Sequence, residues 1–392
     1  MASADSPLDP LQGGHVLLAP DRFKGSLTGT EVAQHLATGL RRARPGLRVI
    51  ELPVSDGGDG TAEAAIAAGW RRVEVEVSGP TGRPVAATMA LNGQAAVVEL
   101  AEASGLRRLP GGRAQPLTAT SLGTGQLLAH ALRMGARKIV LGVGGAACAD
   151  GGAGLVQGLG GRLLDALGKD LPPGGAALRS LHALDLRGLP DVSGVRIVLA
   201  GDSTGDSSSP LLGRNGATAA HAARRGAGRD EARMLDAGLR RWADLAEAAA
   251  RTNARDRPGA GAAGGVGFAA LAFLGASIEP GLGLMLDLLG FADKARGARL
   301  VVTGEGSLDA RTLRGRAPVG VARAAARAGV PVVAVAGRRG LTGEQLRRAR
   351  VQAAYALTDI EPDAARCVRH AGPLLEQLTV AIADEWLPPR RP

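Results

Sequence analysis

Four glycine-rich polar segments, each entered from a short apolar run, constrain the fold of this chain more than any other feature. The apolar runs lie at 15–19, 48–54, 138–141 and 300–302, and the polar segments at 19–26, 55–61, 142–154 and 303–309. Short apolar runs bounded by such turns are typical of buried strands. Helical spacing at 30–42 and 61–68 follows the first two turns, which predicts a parallel α/β sheet. Ligands bind beyond the carboxyl ends of parallel strands, so all four segments are candidate binding loops.

The middle of the chain has a different pattern. Val73, Val75 and Val77 alternate with charged residues, and Asn92-Gly93 separates apolar runs at 85–91 and 95–100. Alternation and an Asn-Gly turn are typical of antiparallel hairpins. We therefore predict an α/β fold of two domains after a disordered lead. The predicted parts are a lead at 1–14, a parallel Rossmann/flavodoxin-like α/β domain at 15–72 plus 285–388, and an inserted mixed α+β domain at 73–284.

Composition argues against several classes of protein. The net charge is +10, yet the arginines are dispersed in pairs and the chain has one Tyr and four Phe. A nucleic-acid partner is therefore not expected, because such partners select clustered charge and aromatic stacking platforms. Two cysteines, Cys148 and Cys367, cannot form a disulfide framework or a Cys-rich zinc site. No signal peptide and no membrane span of about 20 apolar residues is found, which predicts a cytoplasmic protein with no membrane partner.

The first two loops carry charged residues suited to phosphate and metal. Lys24 follows the first strand, and its ammonium group can neutralise phosphate oxygens, with Asp21 and Ser26 as neighbouring binding candidates. Asp56 and Asp59 are separated by glycines, so their carboxylates can converge to hold Mg²⁺ or to accept a hydroxyl proton. The simpler alternative for both loops is a solvated turn followed by a helix cap.

The last two loops add small residues and a further set of charges. Gly144 and Gly145 would let a phosphate approach backbone N–H groups, although glycine also serves close helix–sheet packing. Upstream lie Ser121 and Thr124 as binding candidates. In the fourth loop, Glu305 and Asp309 can bind metal or substrate, and Arg316 can clamp a phosphate or carboxylate. Carboxylates, cationic clamps and backbone cradles are the parts that phosphoryl transfer needs.

Taken in order, these loops resemble the bacterial glycerate kinase family from about residue 15 to about residue 336. The opening Ala-Pro-Asp-Arg-Phe-Lys-Gly-Ser differs from the family pattern only in Arg22, which replaces a serine. Further matches lie at 54–61, 78–80, 121–125, 150–154, 264–267 and 303–309. The resemblance implies two α/β domains with an active site in the cleft between them, and ATP with Mg²⁺ as co-substrate. It also implies glycerate as the acceptor, usually giving 2-phosphoglycerate. We further expect a monomer or homodimer.

By position, the resemblance implies functional roles for six residues: Lys24, Asp56, Asp59, Asp150, Glu305 and Asp309. Of these, Asp56, Asp59 and Glu305 are the candidate metal ligands. The chain departs from the family where hydroxyl residues are replaced by Ala146 and Cys148, where Arg225 lies outside the usual Pro-Gln-Lys pattern, and where Arg311 and Arg316 replace Gln and Lys. Two alternatives follow: a catalytically degenerate relative that binds nucleotide or a small acid in a regulatory role, and an arginine-rich scaffold for anionic partners. The sequence leaves open which hydroxyl is phosphorylated and which carboxylate is the base.

Overall fold

The computed structural model describes residues 14–201, 208–219 and 226–388. The predicted disordered lead lies outside these residues except for Gly14, and so does Arg225. None of the helices within the described residues combines the length and the apolar character that a membrane span requires.

The described secondary structure alternates strands and helices at both ends of the chain. The strands are β1 (His15–Pro20), β2 (Val49–Glu51), β3 (Arg71–Ser78), β4 (Pro84–Asn92), β5 (Ala95–Glu99), β6 (Lys138–Gly142), β7 (Arg162–Leu164), β8 (Ala183–Asp185), β9 (Arg196–Gly201), β10 (Ser277–Pro280), β11 (Ala298–Leu308), β12 (Val332–Arg339) and β13 (Ala353–Ala356). The helices are α1 (Gly29–Ala43), α2 (Thr61–Ala67), α3 (Leu100–Ser104), α4 (Leu122–Arg133), α5 (Ala153–Gly158), α6 (Arg229–Ala250), α7 (Ala262–Phe273), α8 (Gly281–Leu288), α9 (Phe291–Ala295), α10 (Ala317–Arg327), α11 (Gly343–Arg348), α12 (Ala364–Arg369) and α13 (Ala371–Trp386).

The first compact unit is built from both ends of the chain, up to Ser55 and from Leu282 onward. Its sheet is parallel throughout, in the order β13-β12-β11-β1-β2. Every residue of β1 is buried, as expected for a parallel strand covered on both faces. Helix α1 begins at a capping box formed by Thr28 and Glu31 and packs against α13. The core of this unit is mostly aliphatic, because the chain has few aromatic residues to fill it.

The second unit comprises Asp56 to Gly281, and its main sheet is mixed. The strand order is β10-β9-β6-β5-β4-β3, with β5, β6, β9 and β10 parallel and β3, β4 and β5 antiparallel. The predicted hairpin is present, since β4 and β5 pair on either side of Asn92 and Gly93. A second core forms where Trp242 on α6 meets Phe268 on α7 edge to face.

The observed architecture confirms the predicted fold class: an α/β chain with a parallel sheet in one unit and a mixed sheet in the other. The unit boundaries at Ser55/Asp56 and Gly281/Leu282 differ from the predicted ones at 72/73 and 284/285. The largest difference concerns residues 56–72. Helix α2 in this stretch packs against β4 and β5, so it belongs with the mixed sheet.

The fourth predicted loop is in part a strand. We predicted a strand that stops at Val302, but β11 continues through Thr303 to Leu308. The continuation is possible because β12 also runs further than predicted, so that Ser307 and Leu308 pair with Arg338 and Arg339. This pairing satisfies backbone groups that a loop would leave to water. The polar residues of this segment therefore lie on a strand.

Candidate active site

In the second unit, the loop with two candidate carboxylates lies against the carboxyl ends of central strands. A Cβ atom at Gly57 would overlap the carbonyl oxygen of Ala200 near the end of β9. The Gly144 N–H donates to the Gly57 carbonyl over 3.2 Å, just beyond the end of β6. Such close approach is available only to glycine. The loop is thereby fixed at the sheet edge where α/β proteins bind ligands, and Asp56 and Asp59 flank this contact.

Asp59 lies directly against the glycine-rich third loop. A Cβ atom at Gly145 would overlap Oδ1 of Asp59, and one at Gly144 would lie 2.5 Å from Gly58 Cα. Gly145 also has a φ of +70°, a backbone conformation that favours glycine. Asp59 is half-buried here. The predicted residues Asp56, Asp59, Gly144 and Gly145 are therefore brought together in one part of the second unit.

Asp150 is fully buried and its carboxylate is surrounded by donors. It accepts from the Ser121 N–H (2.8 Å), the Ser121 hydroxyl (3.0 Å), the Thr120 hydroxyl (3.3 Å), and the N–H groups of Gly152 (3.1 Å) and Gly154 (3.2 Å). Burial raises the pKa of Asp150, and the donated hydrogen bonds oppose that rise. A carboxylate with five donors and no exposed surface fixes the start of α4 against the third loop. These contacts suit a positioning role, and the catalytic role of Asp150 stays a prediction.

Ser121 and Thr124, predicted to bind ligand, also face the interior. Both are fully buried. The Ser121 hydroxyl donates to Asp150 and accepts from the Leu155 N–H at 2.9 Å, while the Thr124 hydroxyl donates to Ser104 at 3.0 Å. These hydroxyl groups join α4 to its neighbours. Ser121 thus contacts Asp150 and Thr124 contacts Ser104, and their predicted role in binding ligand stays a prediction.

Glu99 was missed by the sequence reasoning, although it lies beside the loop at 55–61 that carries Asp56 and Asp59, called the acidic loop below. It is the last residue of β5, it is 1% exposed, and its carboxylate accepts from the N–H groups of Gly60 and Ala62 and from Arg107. Burial raises its pKa to about 7 in spite of these partners. The available signal was its position, since it ends an apolar strand of the predicted hairpin.

In the first unit, the lysine loop is tied to the end of β11. The Asp21 N–H donates to the Gly304 carbonyl over 2.8 Å, and the Thr303 hydroxyl donates to the Ala19 carbonyl over 2.8 Å. A Cβ atom at Gly306 would lie 3.2 Å from the backbone nitrogen of Lys24. Lys24 is exposed. The Ser26 hydroxyl donates to the Val368 carbonyl over 3.0 Å, so it holds the lysine loop against helix α12.

Glu305 and Arg316 form the second part of this group. Glu305 is buried, and its Oε1 atom accepts from the Thr312 hydroxyl at 2.5 Å. Its Oε2 atom lies 3.5 Å from an Arg316 terminal nitrogen. The Nε atom of Arg316 is buried and has no hydrogen-bond acceptor among the described residues. Burying an unsatisfied donor is costly, so this atom is suited to an acceptor supplied by a ligand.

Asp309 is held by the neighbouring Arg311. Its two carboxylate oxygens accept from the Arg311 guanidinium at 2.8–3.3 Å, and one also accepts from the Arg311 backbone N–H. This pairing lowers the pKa of Asp309 to about 2. Arg311, which replaces the glutamine of the family pattern, thus neutralises the charge of Asp309, one of the candidate contacts.

The structure therefore places the predicted residues in two groups, one in each unit. The first unit brings together Asp21, Lys24, Glu305, Asp309 and Arg316; the second brings together Asp56, Asp59, Gly144 and Gly145. The convergence of both groups on one anion stays a prediction. In the described part of the chain, no three His, Cys, Asp or Glu side chains form a metal-binding cluster. Mg²⁺ in phosphoryl-transfer sites needs only one or two carboxylates, because waters and phosphate oxygens complete its shell.

Comparison with known proteins identifies one family. The glycerate kinase family model matches residues 16–387. The glycerate kinase of Bacillus subtilis is 41% identical over 326 residues, covering 82% of this chain and 84% of the relative. The glycerate 2-kinase of Escherichia coli is 40% identical over 327 residues, covering 82% and 84%.

Structural similarity extends over nearly the whole chain. A crystal structure of a protein assigned as glycerate kinase 2, from Salmonella typhimurium LT2, superposes with a TM-score of 0.79 at 37% sequence identity. The match covers 95% of this chain and 99% of that one. With the family model, the curated relatives and the solved structure in agreement, this chain belongs to the glycerate kinase family.

Proposed function

We propose that this protein transfers a phosphoryl group from ATP to a hydroxyl group of glycerate, or of a closely related small hydroxy acid. The observation that carries the proposal is the position of the charged loops. Each unit presents carboxylates at the carboxyl ends of its parallel strands, and the first unit adds Lys24 and Arg316. The names of the relatives, glycerate kinase and glycerate 2-kinase, support glycerate as the acceptor and the 2-hydroxyl as the position.

The cationic side chains of the first unit suit the phosphate groups. Lys24 is exposed, and Arg316 has a buried Nε donor without an acceptor among the described residues. In the proposed role, both neutralise charge that spreads over phosphate oxygens during transfer. Glu305 orients Arg316 by an ion pair at 3.5 Å and is itself held by Thr312.

The acidic loop of the second unit suits the acceptor hydroxyl. Asp56 or Asp59 would accept the hydroxyl proton or bind Mg²⁺, and the close contact of Gly145 with Asp59 limits where that carboxylate can move. Magnesium bound here would neutralise phosphate charge and align the nucleotide. The oxygen donor set fits this ion, since Mg²⁺ prefers carboxylates together with phosphate oxygens.

A coupled assay tests the proposal. Purified protein, ATP, MgCl₂ and D-glycerate should release ADP, and phosphorus NMR of the product should show 2-phosphoglycerate. The result that would contradict the proposal is folded protein that turns over no member of a hydroxy-acid panel. Thermal stabilisation by nucleotide or glycerate without product would instead support the degenerate, regulatory alternative.

The two replaced hydroxyl positions give no structural argument against activity. Ala146 and Cys148 are both buried, and the Cys148 sulfur lies 3.7 Å from the carbonyl oxygen of Ala263. A hydroxyl group at either position would also be buried, where it would contact protein atoms. These replacements therefore remove no exposed donor in the described structure.

A further inference from the structure

The buried carboxylate of Glu99, the last residue of β5, lies against the start of α2, the helix that follows the acidic loop. It accepts from the Gly60 N–H with both oxygens, at 3.0 and 3.1 Å, and from the Ala62 N–H at 3.3 Å. Gly60 is the N-cap residue of α2 and Ala62 is its second residue, and the helix has no side-chain cap of its own. Glu99 thus satisfies groups that would otherwise lack an intrahelical partner.

A carboxylate is a costly residue for this task. Glu99 is 1% exposed, and removing a carboxylate from water costs several kcal/mol unless its partners compensate. A neutral amide or hydroxyl side chain can accept the same N–H groups at lower cost. The presence of a carboxylate here therefore indicates a requirement beyond capping a seven-residue helix.

The surrounding contacts connect Glu99 to both sides of Asp59. On one side, Gly60 follows Asp59 directly in the chain and donates to Glu99. On the other side, Glu99 pairs with Arg107 at 3.2 Å, and the neighbouring Leu106 N–H donates to the Gly145 carbonyl over 2.9 Å. Gly145 lies against the Asp59 carboxylate. One buried carboxylate thus joins two segments that lie next to Asp59.

We propose that Glu99 is a positioning residue that fixes Asp59 in its reactive orientation through Gly60 and the Arg107–Leu106–Gly145 segment. The proposal rests on the proposed kinase function and deepens it. Arg107 is shared with Glu102, which also binds Arg108 and the Thr88 N–H. Among the described residues, Glu102 makes no hydrogen bond or ion pair with Gly60 or Ala62, so Glu102→Gln disturbs Arg107 but leaves the contacts of Glu99 with these two N–H groups in place.

The test compares Glu99→Gln with Glu102→Gln in the full-length protein. Glutamine keeps one acceptor but places an amide N–H₂ group among donors and removes the charge that attracts Arg107. We expect Glu99→Gln to lower kcat by about tenfold or more while both KM values change less than about threefold, because orientation and not ground-state binding is lost. Amide exchange at Gly60 and Ala62 should become faster in Glu99→Gln and stay unchanged in Glu102→Gln.

The outcomes separate positioning from simple structural support. A folded Glu99→Gln protein with kcat within about twofold of wild type would overturn the proposal, and so would equal losses of kcat in both variants. If Glu99→Gln does not fold, Arg107→Gln replaces it, because 45% of the Arg107 side chain is exposed and its loss breaks the Arg107 part of the connection. Failure of the proposed function is distinguishable, since wild-type protein would then lack turnover while the exchange difference at Gly60 and Ala62 persists.

Discussion

The Arg316 guanidinium lies 3.5 Å from the Glu305 carboxylate on one side, while its buried Nε atom on the other side has no acceptor among the described residues. Glu305 is in turn held by the Thr312 hydroxyl at 2.5 Å. This arrangement fixes the guanidinium and leaves one directed donor for a ligand oxygen. It also gives a physical reason why arginine is accepted where the family pattern has lysine, since arginine can bind Glu305 and a ligand at once.

Replacing Arg316 should therefore impair catalysis more than stability. We expect Arg316→Ala to lower kcat/KM by about 100-fold, in the range seen when one donor to developing charge is removed, and Arg316→Lys to fall between this variant and wild type. Steady-state kinetics with ATP and D-glycerate measure the effect. Arg314→Ala is the control, because Arg314 is exposed in the same segment. Equal losses in the two alanine variants would show that general positive charge, and not the position of Arg316, matters.

Asp59 and Asp150 should respond differently to the same substitution. Asp59→Asn should lower kcat by about 100-fold or more with little change in the urea midpoint, as expected for a general base or metal ligand. Asp150→Asn should lower the free energy of unfolding by about 3 kcal/mol, because an amide group would face five donors in a fully buried site. Urea titrations and activity per folded molecule test both. A stable but inactive Asp150→Asn protein would contradict the positioning role.

Gly145 offers a test that displaces Asp59 without changing it. Gly145 and Gly168 both have left-handed backbone, with φ of +70° and +75°. Alanine costs about 1 kcal/mol at either position for backbone reasons, but only at Gly145 would its Cβ overlap the Asp59 carboxylate, since Gly168 has open space. We expect Gly145→Ala to lose about tenfold or more in kcat and Gly168→Ala to stay within about twofold. If the two variants had comparable activity at equal stability, the orientation of Asp59 would not control catalysis.

The sequence predicts this fold well where periodicity and turn chemistry act locally. The hairpin at Asn92-Gly93 and the helix after Thr28 follow from residues that determine their own conformation. The extension of β11 to Leu308 was missed because it depends on pairing with Arg339, about 30 positions away. The composition of this segment alone indicates a loop, since two glycines and Glu305 weaken strand propensity.

The candidate site shows the same contrast between features that local sequence determines and features that depend on distant residues. The loops with Lys24, Asp56 and Asp59 were found because charged residues beside glycines mark strand ends. The burial of Asp150 and Ser121 could not be read from the sequence, because a carboxylate that accepts five hydrogen bonds and an exposed one look identical there. Glu99 was missed for the same reason: its partners at Gly60 and Ala62 come from a distant segment.

The final prediction concerns the pH dependence of stability. The pKa of Glu99 is raised from 4.5 to about 7 in the folded protein, chiefly by burial. A carboxyl group with a raised folded-state pKa stabilises the fold fully below its unfolded pKa, and this contribution is lost as pH rises through the folded value. The free energy of unfolding of wild type relative to Glu99→Gln should thus fall by about 3 kcal/mol between pH 4.5 and pH 7.5, since each pKa unit corresponds to about 1.4 kcal/mol. Urea titrations across this range measure the difference, with Glu76→Gln on the exposed face of β3 as the control. A constant difference between wild type and Glu99→Gln would show that Glu99 titrates as an ordinary carboxyl group, and a difference that rises with pH would show that its partners stabilise the charged form more than burial opposes it.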